Sequence, residues 1–123
     1  MSDDWRDGDG NLDPQLIGHD IEALGHAWAG LSHAASLLDK TQTAVFAQMV
    51  LAHMQENPGV SRSTAELKVR GSDDWMNHIY AALDARRKAN VALVNFEAVK
   101  ARFEAMRTQE ASRRAELTTL GRR

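Results

Sequence analysis

Residues 73–120, DDWMNHIYAALDARRKANVALVNFEAVKARFEAMRTQEASRRAELTTL, contain neither proline nor glycine. Alanine, leucine, glutamate and arginine dominate the stretch, and all are strong helix formers. Ser72 precedes it as a cap, and Asp73 and Asp74 lie where the helix dipole favours negative charge. One helix is predicted over about 73–118. Its less polar positions recur at steps of four and three: Trp75, Ile79, Ala82, Arg86, Ala89, Leu93 and Phe96. The stripe then slips by one position to Val99, Phe103 and Met106. This is the period of a helix packed on a helix, and the slip unwinds a supercoil locally.

Working back toward the start, Ser63-Thr64-Ala65-Glu66 fits a capping box and Gly71 a helix stop, so a short connecting helix is predicted at 64–70. Asn57-Pro58-Gly59 ends an earlier helix, because proline cannot continue the hydrogen-bond ladder. That helix begins at Pro14, with Asp13 as its cap, and spans about 14–56. Ile17, Ile21, Leu24, Trp28, Leu31, Ala35, Leu38, Val45, Met49 and Ala52 form its stripe, in which Gln42 is the single polar member. Gly18, Gly25 and Gly30 each cost roughly 1 kcal/mol in helix propensity. Their use is either close backbone approach or a kink that splits the helix near Gly30. Residues 1–13, nearly all Asp, Gly and Asn apart from Trp5 and Leu12, read as a flexible acidic tail.

Strand patterning is absent. The expected fold is all-α: a long antiparallel helical hairpin with coiled-coil-like packing, a short connecting helix and the tail, in a single helical domain over 14–120. Arg86 falls opposite Gln42 in such a hairpin, where a polar pair fixes register; the alternative is that Arg86 snorkels to the surface. Two long helices bury little surface for 123 residues, which predicts a homo-oligomer. The positions assigned to helix packing and self-association are Ile17, Ile21, Leu24, Trp28, Leu31, Leu38, Val45, Met49, Ile79, Leu93, Phe96 and Phe103.

The composition, 43% hydrophobic with no cysteine, excludes disulfides, thiolate metal sites and a cysteine nucleophile. No apolar run approaches the ~20 residues of a membrane span. The acidic opening lacks the order of a signal peptide, so a cytoplasmic protein is expected. Charge is unevenly spread: residues 1–60 carry −7, 61–83 none net and 84–123 +5, for a total of −2. Such a split suits either a polyanion partner for the basic end or pairing between the two ends.

Catalytic patterns are missing, and no metal or cofactor is expected. Asp7, Asp9, Asn11 and Asp13 resemble the first half of a calcium loop, but Leu12 and Gly18 stand where that loop needs glycine and glutamate. His19, His26 and His33 share a helix face, yet heptad neighbours lie ~10 Å apart and cannot chelate one ion. There is no phosphate-cradling glycine loop, no H-E-x-x-H and no G-x-S-x-G. The basic half holds the candidate nucleic-acid-binding residues: Arg86, Arg87, Lys88, Lys100, Arg102, Arg107, Arg113 and Arg114. Positive charge along a rod gains affinity for nucleic acid by releasing counterions from phosphates. Glu97, Glu104, Glu110 and Glu116 dilute it and can pair with arginines at helix spacing.

Residues 20–116 resemble small all-helical bacteriophage proteins of the UvsY type, the recombination mediators of T-even phages. The resemblance lies in an alanine-rich first helix, a connection with Ala65-Glu66 and Ser72-Asp73-Asp74-Trp75, and a last helix. That helix reads Ala85-Arg86-Arg87-Lys88-Ala89-Asn90, then Lys100-Ala101-Arg102-Phe103-Glu104-Ala105-Met106-Arg107. The resemblance implies an oligomeric, non-catalytic recombination accessory that binds single-stranded DNA, with a recombinase or single-strand-binding protein as partner. Only Arg86, Arg87, Lys88, Lys100, Arg102 and Arg107 carry over. A helical protein-interaction module, such as a phage structural component or an inhibitor acting through the acidic half, is the alternative.

Overall fold

The computed structural model describes residues 5–121, and within them the chain is all-α. Three helices follow one another: α1 (Pro14–Glu56), α2 (Arg62–Arg70) and α3 (Asp73–Gly121). Asp13 caps α1, its Oδ1 accepting from the Gln15 amide at 2.9 Å. α1 is one continuous helix through Gly18, Gly25 and Gly30 and is not split at Gly30. Close approach applies to Gly25 alone: a Cβ there would lie 3.2 Å from Phe96 Cε2, whereas Gly18 and Gly30 face open space. Gly59, at φ +90°, makes the turn that follows.

The cap of α2 is Ser61, not the expected Ser63. Ser61 Oγ accepts from the Thr64 amide at 3.2 Å and donates to Thr64 Oγ1 at 2.9 Å. Threonine supplies the second oxygen of the cap, so the helix starts two residues before the predicted 64. Ser72 Oγ accepts from the Trp75 amide at 3.2 Å and donates to the Val69 carbonyl at 2.6 Å. One hydroxyl therefore closes α2 and opens α3.

The chain divides into two compact units: residues up to Trp28 with those from Val91 onward, and Ala29–Asn90. In the first, Trp5, Ile17 and Val99 are buried, with Leu12, Ile21, Leu24, Phe103 and Met106 packed around them. Trp28 stacks on Phe96 (6.1 Å between centroids, 11°). Ile17 thus meets Val99 while Trp28, further along α1, meets an earlier residue of α3, so the two helix segments run antiparallel here.

In the second unit, Val50, Ala65 and Val69 are buried among Phe46, Met49, Met54, Val60 and Trp75. Ala35, Ala82 and Ala89 are buried as well. Phe46 meets Trp75 at 5.0 Å and Asp39 meets Arg86, again an antiparallel order. Ala52, counted in the α1 stripe, is exposed. α2 packs on the end of α1 and draws the buried side round to Phe46, Val50 and Met54.

Two further expectations are corrected. Arg86 Nη2 donates to Asp39 Oδ2 at 2.7 Å, not to Gln42. A carboxylate one turn away offers a charge-assisted bond that an amide cannot match. Residues 5–13 are also no flexible tail. The Asp7 amide donates to the Asn11 carbonyl at 2.8 Å, the Asp13 amide to the Trp5 carbonyl at 2.7 Å, and Arg6 and Leu12 form a β-bridge. This hook buries Trp5 to 1% exposure, with Nε1 donating to Asp20 Oδ2 at 2.7 Å. One indole removes enough apolar surface from water to hold a short loop whose closure costs little. Residues 1–4 of the predicted tail lie outside the described residues.

Candidate nucleic-acid interface

Three of the eight candidate cations belong to the Ala29–Asn90 unit and five to the other. In the Ala29–Asn90 unit, Arg87 Nη2 and Lys88 Nζ both contact Asp84, at 3.0 and 2.9 Å. The Lys88 hydrogen bond, then that of Arg87, holds the Asp84 carboxyl below the ordinary aspartate value. Arg86 is taken up by Asp39. Further along α3, Lys100 Nζ lies 5.1 Å from the centre of the Phe96 ring and the Arg102 guanidinium 4.9 Å from that of Trp5. Arg102 therefore serves as a lid over the hook's anchor.

The last group is different. Glu110, only 17% exposed, receives Arg6 Nη1 at 3.3 Å on one oxygen and Arg113 Nη2 at 3.5 Å on the other. Arg6 also donates to the Gly10 carbonyl at 2.8 Å, which fixes it to the hook. Arg107 and Arg114, one heptad apart, line an open cleft of about 320 Å³ with Asn11, Leu12, Glu110 and Ala111. Arg107 reaches Glu104 only at 3.9 Å, with both side chains about two-thirds exposed. Four arginines thus surround one covered carboxylate, and the surplus positive charge faces the cleft. Guanidinium groups offer paired donors matched to phosphate oxygens.

Sequence reasoning placed Arg107, Arg113 and Arg114 here but missed Arg6 and Asn11, which the hook brings in. Trp5, the one aromatic in an otherwise polar stretch, was the available signal. The twelve packing positions are each buried or half-buried: Ile17, Ile21, Leu24, Trp28, Leu31, Leu38, Val45, Met49, Ile79, Leu93, Phe96 and Phe103. The carboxylates of the calcium-loop-like stretch are turned inward: Asp7 Oδ1 accepts from the Asp9 and Asn11 amides at 2.9 and 3.0 Å. His19, His26 and His33 are exposed, and among the described residues no three His, Asp or Glu side chains converge as a metal site would require. Among the described residues, no helix is long and apolar enough to cross a membrane.

No protein-family model, curated protein or solved structure matches the chain.

Proposed function

We propose that the chain is a non-catalytic recombination or replication accessory that binds single-stranded DNA, in line with the UvsY-type resemblance. It would act in the cytoplasm of a bacterial host beside a recombinase or single-strand-binding protein, and as a self-associating helical scaffold. The arginine cluster around Glu110 carries this reading. Glu110 is paired with Arg6 and Arg113, and Glu104 meets Arg107 only at 3.9 Å in an exposed pair, so Arg107 and Arg114 are open to a phosphodiester in the cleft. Lys100 extends the line by one more heptad, ~10 Å along the axis. The pairs of Arg87 and Lys88 with Asp84 and of Arg107 with Glu104 are exposed, and such pairs contribute about 0–1 kcal/mol, little enough for a phosphate to displace. Trp5, Phe96 and Phe103, the aromatic groups nearest the cluster, are committed to packing, so recognition is electrostatic and indifferent to base sequence.

The test is a titration of labelled single-stranded oligonucleotide at ~50 mM salt. The Arg107→Glu/Arg114→Glu double variant should bind about tenfold or more weakly, and Arg62→Glu, on α2, should bind like the unaltered protein. Absence of binding by the unaltered protein overturns the reading. One observation favours the second reading, a protein-interaction module: Leu37, Leu51, Tyr80 and Leu83 are large, apolar and more than half exposed. A protein that ignores DNA would leave that reading standing.

A further inference from the structure

The seam residues are spent inside the chain, so self-association needs a different surface, and α3 offers one. Asp73, Met76, Tyr80, Leu83 and Arg87 follow steps of three and four and fall within about a quarter-turn of one another at ~100° per residue. All five are exposed; Tyr80 and Leu83 reach 61% and 62%. The edge has a defined order: an acid, three apolar side chains and a base.

That order is self-complementary. A two-fold axis requires that if one residue meets a second on the partner, the second meets the first. Laid antiparallel on a second copy with Tyr80 at the axis, Met76 packs against the partner's Leu83 and Asp73 faces the partner's Arg87. Each contact then occurs twice. Laid parallel, acid would meet acid and base would meet base. Arg87 already shares Asp84 with Lys88, so the pairing adds a second carboxylate to a guanidinium with donors to spare.

We infer that the Asp73–Arg87 edge of α3 is the surface on which two copies of this chain pair antiparallel about Tyr80. The inference deepens the self-associating part of the proposed function and does not depend on DNA.

Light scattering after gel filtration of the full chain at ~100 µM, without DNA, tests it. The unaltered protein should weigh about 27 kDa, twice the 13.6 kDa chain. Tyr80→Glu should return it to the chain mass with the helical circular dichroism unchanged, because Tyr80 is exposed. Asp73→Arg alone and Arg87→Asp alone should each be monomeric, since each places like charges together at the axis-related contacts. Mixed in equal amounts they should form a dimer, because every such contact then joins an arginine to an aspartate. A monomeric unaltered protein, an assembly indifferent to Tyr80→Glu, or a mixture that stays monomeric overturns the inference. Oligonucleotide binding by the Tyr80→Glu chain is read separately, so failure of pairing and failure of DNA binding are told apart.

Discussion

Two residues carry more than their neighbourhood in the sequence suggests. Trp5 sits among aspartates and glycines, yet it is the largest fully buried side chain, edge-on to Phe103 at 6.4 Å and covered by Arg102. Composition makes the segment look like tail; only the burial of one indole shows otherwise, and periodicity cannot register a single anchor. Trp5→Ala should cost about 3 kcal/mol in urea denaturation, the lower end for truncating a buried aromatic, and a loss below ~1 kcal/mol would mean the hook is not anchored. Asp84 is the second. Its carboxyl is held low chiefly by Lys88 and then by Arg87. A depressed folded value means that its contribution to stability is full above the unfolded aspartate value, about 3.9, and fades as pH falls through the folded value. In a carboxyl NMR titration, Lys88→Gln should raise the Asp84 midpoint, and by more than Arg87→Gln does. An unmoved midpoint would show that Lys88 does not hold it.

The three helices were legible because each depends on local signals that act additively along the chain. Pro14, Pro58, Gly59 and Ser72 punctuate it, and the three-four spacing of apolar residues tells which side is covered. What escaped were choices between near-equivalent neighbours. Ser61 and Ser63 both precede helical sequence, and only the fit of Thr64 to Ser61 decides which caps α2. Ser61→Ala should therefore cost about 1 kcal/mol and Ser63→Ala a few tenths, read from thermal unfolding. Equal losses would contradict the assignment. Asp39 and Gln42 posed the same kind of choice for Arg86, settled by charge. Ala52 failed because the buried side of α1 turns toward Phe46, Val50 and Met54 where α2 covers it, a tertiary effect invisible to a two-helix reading.

For the molecule as a whole, the net charge of −2 hides how the acidic start and basic end are used. The hook joins them: Arg6 binds Glu110, and Arg114, with Arg107 held only at 3.9 Å by Glu104, supplies surplus positive charge at a cleft. The sequence suggested either a polyanion partner or internal pairing, and the structure shows internal pairing where Arg86 meets Asp39. Pairing dominates at Arg86, Arg87 and Lys88, while positive surplus remains near Glu110. The central claim is that this surplus meets phosphates, and the salt dependence of single-stranded DNA binding tests it most directly. For three phosphates neutralised by Lys100, Arg107 and Arg114, log affinity should fall against log salt with a slope of about −2, and Arg107→Gln/Arg114→Gln should flatten it to about −0.7. A slope that the double substitution leaves unchanged, or no binding at ~50 mM salt, would contradict the account.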